Sequence, residues 1–352
     1  MDRFLKKIQF SSKKAAEFQN KIRQLDEFKG FWKGRLNISP QILHRLKKFA
    51  LITSTGASTR IEGAYLSDEE VKKLLSGLKI QTLKDRSQQE VAGYAELTQL
   101  IFDHHKTIEL NENQIKHLHK ILLHYSKKDQ HHRGGYKKGS NAVVARDAEG
   151  NESVIFNPTP PHLTPKEMKE LVEFTHEHLR LKEIHPLFTI GHFVGEFLAI
   201  HPFQDGNGRL SRALTNLLLL QEGYSYVQYV SLEKIVEQRK HDYYLALRKS
   251  QQHREEQRHD MAPWMEFFLS ALVEQTQGAK AILERKNIEE ELSENQRMIL
   301  ELLRSSQEGV GVKEIVEKTG IGRSTVRKGL ERLRDLKLAR SLGLGRATRW
   351  KA

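Results

Sequence analysis

The chain has 352 residues, no cysteine, 38% hydrophobic and 29% charged residues, and a formal net charge of +13. That length and balance suit a folded chain of two or three domains and exclude a disordered or fibrous one. Without cysteine there are no disulfides, thiolate zinc sites or cysteine nucleophile. Nowhere does an apolar run reach the ~18 residues a membrane span needs, and residues 1–20 lack the apolar segment of a signal peptide, so the expected setting is cytoplasmic with no membrane contact. The basic excess lies in residues 1–50 and 293–352. In the first stretch it reads as solvated helix faces; in the second it suggests an anionic partner such as nucleic acid.

Most of the chain has helical periodicity, as in Ile115, Leu118, Ile121 and Leu122. Ser67 and Glu70 form a capping-box pattern that starts a helix running to about Leu78. Asn141 to Ala145 and Ser153 to Phe156 flank a turn-like stretch and predict a β-hairpin. A lone hairpin is marginal in water, so this one is expected to lie as a flap over a site. Pro158, Pro160 and Pro161 mark irregular chain, and Thr164-Pro165 begins the next helix. A polar helix from Val273 to Leu292 reads as a linker, with a boundary near Glu290. The predicted organisation is a helical region over 1–105, a core over 106–275, a linker helix over 276–292 and a separate domain over 293–352.

The densest chemistry lies between His201 and Arg212. Gly206, Asn207 and Gly208 precede a helical run from Arg209 to Gln221. Their backbone N–H groups, at a helix N-terminus, form an anion hole. Arg209 and Arg212 are three apart on one helix face and suit a polyphosphate. Asp205 is a hard oxygen ligand for Mg²⁺ alongside phosphates. His201 is the residue of the motif that titrates near neutrality and is the natural general base. His117, His119 and His124 have no acidic company at ligand spacing and are not read as a metal site.

The segment His201 to Arg212 fits, without a mismatch, the signature His-x-Phe-x-(Asp/Glu)-Gly-Asn-Gly-Arg-x-x-Arg, and so resembles the Fic family of protein adenylyltransferases. The resemblance covers roughly Ile52 to Ser270. It implies that His201 deprotonates a Ser, Thr or Tyr hydroxyl of a target protein, which attacks the α-phosphate of ATP and releases pyrophosphate. It further implies that Asp205 holds Mg²⁺ and that Gly206, Asn207, Gly208 and Leu210 belong to the phosphate-binding turn. Arg209 and Arg212 would hold the β- and γ-phosphates, and Phe203 would pack beneath the loop. Val154, Ile155, Phe156 and Asn157 would clamp the target segment by strand pairing. Tyr243 and Tyr244 either line the nucleotide pocket or pack as ordinary helix core. Gln251 stands where some relatives carry Asn.

Ser58 and Glu62, with Gly63 following, match the family's inhibitory pattern (Ser/Thr)-x-x-x-Glu-(Gly/Asn). Ser58 and Glu62 lie one helical turn apart, and Gly63 suits the position just past a helix end. The resemblance implies a bidentate Glu62–Arg212 pair that withholds Arg212 from the γ-phosphate, suppressing transfer roughly a hundredfold or more. It leaves self-modification and the reverse removal of AMP open.

In the last domain, helices are expected over Glu294 to Leu303 (with Met298, Ile299, Leu302 and Leu303 inward), Val312 to Lys318 and Gly322 to Leu336. β-prone Leu338 to Ser341 and Ala347 to Trp350 follow. This order resembles a winged helix-turn-helix, with Arg323, Ser324, Arg327 and Lys328 at the start of the recognition helix and Arg346 and Arg349 in the wing. DNA binding and protein–protein or dimerisation contacts both remain open.

The expected fold is mainly α: a Fic-type helical domain with a β-hairpin flap, and a small C-terminal winged helix-turn-helix. The expected partners are ATP, Mg²⁺, a target protein with an accessible hydroxyl, DNA and, as a homodimer, a second copy of the chain. Two rival readings are a DNA-binding regulator with an inert or nucleotide-sensing Fic domain and a protein phosphotransferase. The phosphotransferase branch typically has Lys in place of Gly208.

Overall fold

A largely apolar segment, Pro186–Ile200, and a mixed one with a Leu-rich second half, Asn207–Gln221, fold as a pair of central helices, buried on every face for most of their length. No amphipathic stripe is needed where a helix is surrounded. The structure, a computed structural model, describes residues 2–34, 40–77, 83, 85–141, 143–146, 152–252, 260–290, 292–306, 308–343 and 348–352. It contains two compact units, Met1–Ala279 and Lys280–Ala352, and the division falls inside the helix Ala262–Glu290.

In the first unit, Pro186 sits at the start of its helix, where its missing N–H does no harm, and the His185 side chain caps Leu187 N–H. Gly191 and Gly195, one turn apart, leave room for Met265 and Phe268 and for Met261 and Trp264; the Trp264 indole donates to the Gly191 carbonyl at 2.7 Å. The helix Arg86–His104 approaches the end of Glu112–Leu122 so closely at Gly93 that a Cβ there would meet the Leu122 carbonyl. That approach sets the height of His119 beneath the site. The capping box at Ser67 starts a helix Asp68–Ser76, as the spacing predicts.

The helix Pro40–Ile61 ends in a run of small residues, Thr53 to Thr59, all buried. Small side chains let it pack tightly against Leu232–Gln238 and Arg86–His104. The hairpin consists of Val143–Arg146 and Glu152–Phe156, antiparallel, with an irregularity between Val143 and Val144. Among the described residues no helix is long and apolar enough to cross a membrane.

The second unit has helices Glu294–Ser305, Val312–Thr319 and Arg323–Asp335 and a three-stranded sheet of Val310–Gly311, Arg349–Lys351 and Arg340–Leu342, in that order. Val326, Leu330 and Leu333 are fully buried, as expected. The first helix turns Ile299, Leu302 and Leu303 to the core as expected, Leu302 only partly buried, but not Met298. It buries Ile299, Leu300 and Leu303, whereas Met298 is 41% exposed. Gly329 lets Ile299 sit close against the third helix, because a Cβ there would lie 2.8 Å from Ile299 Cδ1. The strand Val310–Gly311 is too short to leave a period-2 signature in the sequence.

Candidate active site

Between the two central helices the chain turns through His201 to Gly206. His201 ends its helix in the left-handed conformation (φ 52°, ψ 58°). A non-glycine residue there carries roughly 1–2 kcal/mol of strain. In return, the imidazole folds back so that Nδ1 lies 3.2 Å from the Leu198 carbonyl. A carbonyl only accepts, so Nδ1 carries the proton and Nε2 keeps its lone pair. Burial pushes the His201 pKa down to about 4, with Lys137 adding to the shift and the Leu198 carbonyl, Glu62 and Asp205 opposing it. The ring is therefore a neutral base at pH 7.

Gly206 takes φ 83° and starts the second helix. The Asn207 side chain is committed to the loop: Oδ1 accepts from Phe203 N–H at 2.9 Å and Nδ2 donates to its carbonyl at 2.7 Å. What Asn207 and Gly208 offer an anion is their main-chain N–H groups in the first turn. Phe203 is fully buried beneath the loop, stacked on His119 at 3.8 Å between ring centres.

Asp205 Oδ1 accepts from Gly206 N–H at 2.5 Å and Arg209 Nη2 at 3.1 Å, and Oδ2 accepts from Arg86 Nη2 at 2.7 Å. Burial works to raise its pKa, but Arg209, the Gly206 N–H and Arg86 outweigh it and hold the carboxyl below its ordinary range. Glu90 faces both Arg86, at 2.7 Å, and Arg209, at 3.5 Å. Among the described residues no three His, Asp or Glu side chains converge on a metal position. An ionised, partly exposed Asp205 on the cavity wall fits Mg²⁺, which takes one or two carboxylates and completes its shell with phosphates and water.

Arg212 is buried. Its Nε donates to Ser58 Oγ at 2.8 Å, and its Nη2 to the Ser58 carbonyl at 2.9 Å and to Glu62 Oε1 at 2.8 Å. The Glu62 contact is thus a single-point pair rather than the expected bidentate one. Burial disfavours the Arg212 cation, yet Glu62 and the neighbouring Tyr243 and Tyr94 outweigh it and raise its pKa. Glu62 is held where it is by the helix end. Ala64 N–H bonds to the Thr59 carbonyl and Gly63 N–H to that of Arg60, with Gly63 at φ 101°. This is a Schellman ending with glycine at the left-handed position. Gly208 completes the fit, since a Cβ there would overlap Glu62 Oε1.

These groups line a cavity of about 770 Å³. Its wall includes Glu62, His201, Asp205 to Arg209, Tyr243, Tyr244, Gln251 and, from the flap, Phe156. Asn157 follows Phe156 and is exposed; Val154 pairs with Val144 and, with Ile155, belongs to the flap strand. Tyr243 is buried against the cavity, whereas Tyr244 is 42% exposed. Arg212 and Ser58 are not on the wall, because Glu62 stands in front of them. Leu210 does not reach it either: its side chain is fully buried in the core. Arg209 Nε and Arg212 Nη1 are buried and donate no hydrogen bond among the described residues. Buried guanidinium donors without acceptors are costly, and beside a cavity they suit an anionic ligand.

Three further residues were not singled out by the sequence. Lys137 and Asn141 hold the carbonyls of the His201 turn. His119 bridges the loop from below: Nε2 donates to the Asp205 carbonyl at 2.9 Å, and Nδ1 accepts from Gly134 N–H at 2.9 Å.

In the second unit Arg323, Ser324, Arg327 and Lys328 are exposed together at the start of Arg323–Asp335. Arg349 is tied to the Gly309 carbonyl at 2.7 Å, and Arg346 lies outside the described residues.

Residues 109–219 match the model of the Fic/DOC family, and residues 297–343 match that of the IclR helix-turn-helix domain. The chain is 29% identical over 108 residues to a probable protein adenylyltransferase of Aquifex aeolicus, an overlap of 29% of this chain and 28% of that protein. It is 32% identical over 71 residues to the protein adenylyltransferase fic-1 of Caenorhabditis elegans, covering 20% and 13%. The matches thus span under a third of either relative. The fold resembles the crystal structure of a Fic family protein from Desulfovibrio desulfuricans, with a TM-score of 0.63, 21% identity and coverage of 98% and 97%.

Burial lowers the His119 pKa to about 4 from an ordinary 6.5. The unfolded chain therefore binds more protons between those values, so His119 stabilises the fold fully above pH 6.5 and loses that contribution as pH falls toward 4. The melting temperature should drop over that window, and less steeply in His119→Asn. Parallel pH profiles for the two proteins would contradict the assignment.

Proposed function

We propose, of a chain whose residues 109–219 are a Fic/DOC family domain, that it transfers AMP from ATP to a hydroxyl of a target protein and that Glu62 restrains it. The observation that carries the proposal is the cavity: a neutral imidazole, a first-turn anion hole and a charged arginine line one wall, with a second arginine screened by one carboxylate.

His201 Nε2 would accept the proton of the attacking hydroxyl while its Nδ1–H stays on the Leu198 carbonyl. The new bond forms between the hydroxyl oxygen and the α-phosphorus, the bond to the bridging oxygen breaks, and pyrophosphate leaves. The N–H groups of Asn207 and Gly208 would face the α-phosphate oxygens, and Arg209 the outer phosphates. Mg²⁺ held by Asp205 would supply charge neutralisation across the phosphates. Phe156 and the hairpin backbone would present the target segment, and Tyr243 and Gln251 would flank the base.

The restraint follows from geometry. With Glu62 on Arg212, an outer phosphate meets a carboxylate where it needs a guanidinium. One charge-assisted hydrogen bond is worth roughly 1.5–3 kcal/mol, which converts to roughly a tenfold to hundredfold restraint. This is smaller than the two orders or more that a bidentate pair implied. Gly208 favours this reading over phosphotransfer, because a side chain at that position would displace Glu62.

For the second unit, the IclR-type match and the exposed cluster at the start of its third helix support DNA binding through phosphate contacts.

Glu62→Gly should raise transfer of labelled AMP, onto the chain itself or onto added protein, by roughly ten- to a hundredfold, in a chain that still folds but melts lower because buried Arg212 loses its countercharge. Equal or lower transfer in a folded variant would refute the restraint. Duplex DNA affinity, read by fluorescence anisotropy, should fall on the order of tens of fold between about 50 and 200 mM salt, and Arg327→Ala should reduce the salt slope by about one. Salt-independent binding, or none, would leave a protein-contact role for this unit.

A further inference from the structure

We infer that Lys137 and Asn141 are positioning residues for the AMP-transfer reaction, acting by holding His201 in its left-handed turn. The inference rests on the proposed role of His201 as base.

Four successive carbonyls leave the end of the helix Pro186–Ile200, and this one short segment receives all of them. Lys137 Nζ donates to the Ile200 carbonyl at 2.9 Å. Asn141 Nδ2 donates to the His201 carbonyl at 2.9 Å and to that of Phe203 at 2.7 Å. Lys137 N–H donates to the Pro202 carbonyl at 2.8 Å. Lys137 Nζ also donates to Asn141 Oδ1 at 2.8 Å, which couples the two side chains.

Lys137 is only 4% exposed, unusual for a lysine. Its ammonium lies at the C-terminal, electronegative end of the helix, where a cation is favoured. The turn it braces is strained, and such turns persist only where their surroundings over-determine them. The strained residue is the one whose Nε2 must meet the attacking hydroxyl. A buried ammonium that only filled space would not need to reach the carbonyl immediately before the catalytic residue. Nothing in the 137–141 segment lines the cavity except Asn141, so Lys137 acts through the turn rather than on a ligand.

The arrangement predicts a split in kinetic constants. Removing the brace lets the imidazole wander without altering the anion hole, so turnover should suffer and nucleotide binding should not. A misplacement on the order of 1 Å costs roughly a hundredfold in rate.

The experiment uses the full chain in a Glu62→Gly background and compares Lys137→Met, Asn141→Ala and His201→Ala. Expected are a kcat for AMP transfer lowered about a hundredfold in Lys137→Met and about tenfold in Asn141→Ala, with KM for ATP within about threefold of the parent. If Lys137→Met does not fold, Asn141→Ala, which keeps the buried ammonium, decides by the same split. Parental kcat in the folded variants would overturn the inference, as would kcat and ATP affinity falling together. Transfer by His201→Ala at the parental rate would instead sink the underlying reading of the site, so the two failures are distinguishable.

Discussion

One buried cation organises the site. Arg212 comes from a helix with almost no solvent-facing side, and its guanidinium must find oxygen partners inside the protein. A buried charge stripped of its partner costs several kcal/mol, so the position cannot simply be vacated. Ser58 supplies two acceptors and Glu62 the countercharge. The remaining Nη1 has no acceptor among the described residues. The demand for an anion at this point is built in. On the proposed reading two anions can meet it, the Glu62 carboxylate or an outer phosphate, and they would compete for the same group.

The end of the helix Pro40–Ile61 gives that competition its geometry. The Schellman ending fixes Glu62 as the last residue before a left-handed glycine. Behind it, Arg60 runs back over Gly56 to Asp68 and across to Glu237 at 2.5 Å, pinning this helix end to Leu232–Gln238. The carboxylate therefore needs no search to find Arg212. Two histidines, His119 beneath the loop and His201 on the cavity wall, are kept neutral by burial rather than by partners. His119 is locked between a donor and an acceptor and braces the loop, while His201 uses only one nitrogen on the protein and leaves the other for chemistry. Two imidazoles with similarly lowered pKa values thus serve different ends because of what their second nitrogen meets.

What the sequence disclosed follows from how local each feature is. The loop from His201 to Arg212 is contiguous, so its glycines, carboxylate and arginines could be read together. Ser58, Glu62 and Gly63 were readable because helix spacing and the glycine stop are local rules. Lys137, Asn141, His119, Arg86 and Glu90 were not. Each meets the site through a residue far along the chain, as Arg86 meets Asp205 and Glu90 meets Arg209, and a lone Lys or Asn in a turn looks solvated until the fold buries it. Likewise, Met298 was misjudged on Glu294–Ser305, where Leu300 is buried instead. Nor does any spacing rule convey that Ser58 takes Nε of Arg212 and shares Nη2 with Glu62.

The central claim is that Glu62 and an outer phosphate exclude each other at Arg212. The most direct measurement is calorimetric titration of ATP and ADP, with Mg²⁺, into the wild type and Glu62→Gly. ATP carries one more phosphate for Arg212 to hold. The preference for ATP over ADP should be slight in the wild type and rise by roughly tenfold in the variant, the worth of one charge-assisted contact. An ATP-to-ADP preference that is the same in both proteins would mean that Arg212 is not what Glu62 withholds.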